Sequence, residues 1–114
     1  MNEHLKVSKE KQDFAKFYKA YSLFMLQENK ISYELFLEAQ KTLPKEAKFQ
    51  SLYFASQCAL AMYNQNSEDN WLKNAISSSE LACKVSIDES KKLDTLILLS
   101  QLYSLNSDYE KAVS

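Results

Sequence analysis

The residues able to do chemistry are few and stand apart. The one histidine, His4, lies in the polar opening stretch MNEHLKVSKEKQ. A histidine acts as a base or metal ligand only beside a partner group, so a lone one in a polar run is read as solvated. Cys58 and Cys83 are the only thiols. They have neither CxxC spacing nor histidine companions, so zinc and dithiol chemistry lack their ligand sets. Both are read as core residues. In a hairpin turning near Ser67, Cys58 falls about seven residues from the level of Cys83, roughly 10 Å along the axis and too far for a disulfide. The adjacent acids Glu68-Asp69 and Asp88-Glu89 do not converge on a substrate, and capping and solvation account for them. Lys9-Glu10-Lys11 and Lys91-Lys92 read as solvated faces. This inventory predicts no catalytic residue, no metal site and no cofactor, and therefore a protein that is not an enzyme.

Composition narrows the classes further. The chain has 114 residues and a formal net charge of -1, enough for one domain that buries about two thirds of its unfolded surface without staples. All 14 basic residues are lysine. Without arginine there is no bidentate fork for phosphate or guanine, and no basic stripe gathers, so nucleic acid is not expected as a partner. With Gly 0, no glycine loop can cradle a phosphate. Gly 0 and Pro 1 also remove the usual breakers of β proteins and point to an all-α chain with Asn and Ser turns. The opening stretch lacks the apolar segment of a secretory signal, and no run approaches the length of a membrane span. The expected setting is the cytoplasm, with no membrane partner.

Periodicity supplies the elements. A helix over 9–27 carries Phe14, Phe17, Tyr18, Tyr21, Phe24 and Met25 at helical spacing. A second over 31–42 carries Ile31, Leu35, Phe36 and Ala39, and Pro44 stops it. A third over 46–64 is apolar nearly all round, hence buried. A polar loop over 65–70 leads to a fourth over 71–86 on Leu72, Ala75, Ile76, Ser79, Ala82 and Cys83. Asp88 and Ser90 offer caps for a fifth helix, on which Leu93, Leu96, Ile97, Leu99, Ser100 and Tyr103 recur. Asn106-Ser107-Asp108 then reads as a turn, and Ser107 with Glu110 as a capping box that starts a sixth helix on Tyr109, Ala112 and Val113.

Leu96, Leu99, Ser100, Tyr103, Tyr109 and Ala112 resemble the tetratricopeptide repeat (TPR), whose pattern is W-x2-L-G-x2-Y followed by A. Ser32, Phe36, Ala39 and Pro44 match its second-helix positions. Anchored on Pro44, the repeat would turn Lys16 and Lys19 inward, which is costly for unpaired lysines. The first helix is therefore read one residue shifted, with Phe17, Ala20, Tyr21 and Phe24 inward and Tyr21 replacing the usual small residue. The middle pair keeps Ala55, Ala75 and Ala82 but is longer than the family's. The resemblance implies a polar leader over 1–8, then a domain over 9–114. Its antiparallel hairpins, over 9–43, 45–87 and 91–114, would stack as a right-handed TPR-like superhelix, the last hairpin incomplete.

In that family the first helix of each pair lines a concave groove. Here it would present Tyr18, Ser22 and Met25, then Leu52, Ser56 and Leu60, then Ile97, Gln101 and Leu105. None matches the lysine and asparagine of the family's carboxylate clamp, so the groove is expected to take an amphipathic helix or an extended apolar segment. The function implied is a non-catalytic protein-protein interaction module or scaffold segment. The alternative is a self-associating helical domain, in which a second copy is the partner. The abrupt end of the last pair is expected either at the front of a longer repeat array or at an oligomer interface.

Overall fold

The computed structural model describes residues 2–113, with side chains placed over 11–107. Every regular element among them is a helix: α1 (Asn2–Met25), α2 (Asn29–Ala39), α3 (Lys45–Asn66), α4 (Asp69–Val85) and α5 (Glu89–Val113). Each helix packs on the next in chain order, and α1 also touches α3. On the other side Tyr33 of α2 meets Trp71 of α4 edge-on at 5.4 Å, and the Tyr33 and Ser78 hydroxyls are hydrogen bonded. The array measures 57 × 30 × 21 Å with a radius of gyration of 15.1 Å, against about 13 Å for a compact domain of this length. Its thinnest dimension is about two helix diameters.

Small buried residues let the helices approach closely. Ala20, Ala39, Ala55, Ala59, Ala75 and Ala82 have no exposed surface. Between them, buried serines tie helix to helix through backbone carbonyls. Ser32 Oγ of α2 donates to the Ala20 carbonyl of α1 at 2.6 Å, and Ser51 Oγ of α3 to the Phe36 carbonyl of α2 at 2.6 Å. Ser56 Oγ of α3 donates to the Ala75 carbonyl of α4 at 3.0 Å. A hydroxyl has one proton to give, so the bond between Ser56 and Ser79 has Ser79 as donor, in a relay from Ser79 through Ser56 to the carbonyl. The first hairpin closes over a separation of 12 residues and the second over 19, an excess of about two helical turns.

Three expectations about the elements are corrected. The chain does not break at Asn106-Ser107-Asp108: α5 runs unbroken to Val113, so the third hairpin is one continuous helix. Asn, Ser and Asp each cost a helix less than about 1 kcal/mol, and no glycine or proline adds to that. Glu110 of the expected capping box has a side chain outside the described residues, and the helix start it would mark is absent from the backbone. The polar loop over 65–70 shrinks to Ser67 and Glu68, because Ser67 turns the chain with a left-handed φ of 56°. Helix α1 begins at Asn2 rather than at 9; the added stretch contains no glycine or proline and includes Glu3, Leu5 and Lys6, good helix formers. The side chain of His4 lies outside the described residues.

The inward face of α1 carries Phe17 and Ala20, both buried, and Phe24, half-buried, as expected; Tyr21 is corrected, being half-exposed and edge-on to Phe54 at 5.4 Å. Pro44 caps α3, its carbonyl accepting the Lys48 N–H at 2.7 Å.

Candidate functional site

A cleft of about 370 Å³ runs between α3 and α5, lined by Tyr53, Gln57 and Leu60 on one wall and Asp94, Ile97, Leu98 and Gln101 on the other. Its position follows from how α3 is used. Phe49, Leu52, Ser56 and Ala59 face α4, and Ser51, Ala55 and Cys58 face α2. That leaves Tyr53, Gln57 and Leu60 pointing outward. Helix α5 buries Thr95, Leu98, Leu99 and Leu102, and turns Asp94, Ile97 and Gln101 toward α3. The cleft thus has walls of mixed character, more polar than apolar in the surface they expose, with one glutamine from each helix and the Asp94 carboxylate as the only charge among its lining residues.

Of the nine residues expected to line a groove, Leu60, Ile97 and Gln101 meet in this cleft. Leu52 and Ser56 do not line a groove, because both are buried. Leu52 packs with Phe49 and Ala82, and Ser56 is hydrogen bonded to α4. Their outward counterparts are Tyr53 and Gln57, one position further along, which the sequence reading missed. One residue is 100° of helix, enough to exchange wall for interior. Tyr18, Ser22 and Met25 are exposed on α1. Met25 lines a separate hollow of about 480 Å³ with Phe24, Gln27, Asn29, Ala61, Asn64 and Gln65. Leu105 is half-buried beside the cluster of Leu72 and Leu102.

A third hollow, of about 290 Å³, lies where α3 begins and α4 passes to α5, lined by Lys45, Glu46, Phe49, Ser86, Ile87, Asp88 and Lys91. It is held by its own contacts. Lys91 Nζ pairs with Glu46 at 3.5 Å and stands 6.0 Å above the Phe49 ring, and Asp88 Oδ1 caps α5 through the Ser90 N–H at 2.8 Å. Asp88 takes the cap that the sequence offered to it.

The thiols lie on different helices, Cys58 on α3 and Cys83 on α4. Cys58 is buried among Ala20, Phe36 and Ala55, donating to Ser32 Oγ at 3.4 Å. Burial pushes its thiol up to about 11. Cys83 is half-buried on α4 and its thiol is raised by burial, with Lys92 opposing the shift. Both are free. Among the described residues no three acids, cysteines or histidines gather as a metal site, and no helix is long and apolar enough to cross a membrane.

Compared with family models, with curated proteins and with solved structures, the chain finds no match in any of the three.

Proposed function

We propose that this chain is a non-catalytic protein-interaction module of TPR type, in which the α3–α5 cleft receives an apolar segment of a partner protein. The observation that carries the reading is the cleft itself, where Tyr53, Leu60 and Ile97 offer apolar contact and α3 and α5 each contribute a glutamine, Gln57 and Gln101. Such a mixed lining suits an extended peptide, whose backbone needs donors and acceptors while its side chains seek apolar contact. Support for the TPR reading comes from α1 and α2. Counting from Pro44, buried Ser32 and Phe36 fall on A-x3-F and buried Ala20 on the glycine of W-x2-L-G-x2-Y, while the W and L positions of that count are Lys16 and Lys19, whose charges stay at the surface. Two unpaired thiols fit a reducing, cytoplasmic setting.

The test is selection of peptides from a displayed random library on the immobilised chain, followed by titration of the winners against Ile97→Asp. The reading expects winners whose affinity falls about tenfold or more on that variant, the loss of one central apolar contact. Winners that bind Ile97→Asp as well as the wild type would defeat it.

A further inference from the structure

The side of α5 turned away from the cleft repeats a face that α3 has already filled. Ser51-Leu52 and Ser56-Gln57 of α3 recur as Thr95-Leu96 and Ser100-Gln101 of α5. The recurrence is structural as well. Ser51 and Thr95 are both fully buried against the preceding helix, Cys58 and Leu102 likewise, and Gln57 and Gln101 both line the cleft. In this register the α3 stripe Phe49, Leu52, Ser56 and Ala59 corresponds to Leu93, Leu96, Ser100 and Tyr103 on α5. On α3 that stripe is covered by Leu72, Ala75, Ser79 and Ala82 of α4. On α5 it lies open, with Leu93 58%, Leu96 48% and Tyr103 48% exposed.

We propose that the Leu93–Leu96–Ser100–Tyr103 stripe seats one amphipathic helix of a partner protein, antiparallel to α5 and lined with small residues. The chemistry of the occupant follows from α4. Alanine and serine opposite Leu93, Leu96 and Ser100 allow the close approach that Ala75, Ser79 and Ala82 allow on α3. Ser100 Oγ then donates to a backbone carbonyl of the incoming helix, as Ser56 donates to that of Ala75. Tyr103 has the register position of Ala59, with its hydroxyl hydrogen bonded to Glu80 of α4, and the bulk of its ring calls for a small residue at the level where α3 receives Leu72. The small-residue stripes of α2, α3 and α4, such as Ser32 and Ala39, Ser51 and Ala55, and Ala75 and Ala82, are buried already, so a second copy could offer only Ser100, Ser104 and Ser107 of its own α5, which are exposed.

The probe is a fluorescein-labelled peptide of the 17 residues of α4, carrying Leu72→Ala to make room for Tyr103 and Cys83→Ser, titrated with the full chain by anisotropy. The expected result is saturable binding, weakened about tenfold or more by Leu96→Asp. An equally polar change at an exposed remote site, Leu26→Asp, leaves it unchanged. The peptide that keeps Leu72 binds less well. Should Leu96→Asp lose its helical circular dichroism, Leu93→Asp takes its place. Absence of saturable binding overturns the proposal, as does equal binding to Leu96→Asp. So does an equal loss on Ile97→Asp, which would assign the probe to the cleft. Light scattering supplies the last alternative: a dimer that Leu96→Asp dissociates would make the occupant a second copy.

Discussion

Ser56 of α3 and Ser79 of α4 share a buried hydrogen bond, and Ser56 passes its own proton on to the Ala75 carbonyl. Neither hydroxyl has exposed surface, so each depends on the other for the partner that water would otherwise supply. Ser56→Ala strands the Ser79 hydroxyl and is expected to cost about 1–3 kcal/mol in urea unfolding. The double variant Ser56→Ala, Ser79→Ala removes both polar groups and should cost clearly less than the two single changes added together. Strict additivity would show that the relay is absent.

Position on α3 and α5 separates interior from wall. Leu52→Ala is expected to cost about 2–5 kcal/mol, because the residue is 1% exposed and leaves a cavity beside Phe49 and Ala82. Tyr18→Asp and Ile97→Asp, at 63% and 53% exposed, should keep the helical circular dichroism and shift the unfolding free energy by about 0.5 kcal/mol or less. A collapse of either would make it a structural residue.

The Cys58 thiol gives the fold a pH dependence. Burial holds it near about 11, whereas a thiol in the unfolded chain titrates near ~8.5. Above that value the unfolded chain releases a proton that the folded chain keeps. The stabilisation is therefore complete below about 8.5 and is lost as pH climbs toward the folded value. Between pH 8 and 10 the wild type should lose about 2 kcal/mol more than Cys58→Ala does, measured by urea unfolding at each pH. Parallel losses in the two proteins would contradict a buried, protonated thiol.

With no glycine to take the left-handed turns, Gln27 and Ser67 adopt them, at φ of 64° and 56°. A side chain there costs about 1 kcal/mol that glycine avoids. Gln27→Gly and Ser67→Gly are each expected to raise stability by up to about 1 kcal/mol, read as a higher melting temperature.

Much of the helical architecture could be read from the spacing of apolar residues, and the places where reading failed share a cause. On α2 the buried face is Ser32, Phe36 and Ala39, the positions that the repeat resemblance supplied, whereas apolar period put Ile31 inward and it is half-exposed. On α1 only Tyr21 was misplaced: the inward face is Phe17, Ala20 and Phe24, as the cost of burying Lys16 and Lys19 implied. In the structure both keep their charges at the surface, Lys16 lying 4.0 Å from Glu38, while Ala20 does the packing. On α3 every face carries apolar residues, so period alone could not choose Tyr53 and Gln57 over Leu52 and Ser56. The buried serines reversed the usual sign of polarity, their hydroxyls being satisfied by carbonyls of neighbouring helices that sequence does not place. At Asn106-Ser107-Asp108 turn-forming residues met a helix with no breaker, and continuity prevailed. The recurrence of Leu-x3-Ser-Gln on α3 and α5 was present in the sequence, and it marks which residues of the two helices share a role.

The most direct test of the central claim is to follow the backbone amides by nuclear magnetic resonance while a library-selected peptide is added to the labelled chain. The account predicts the largest shifts at Tyr53, Gln57, Leu60, Asp94, Ile97 and Gln101. Shifts concentrated on α1, or on the Leu93–Tyr103 stripe with the cleft unmoved, would contradict it.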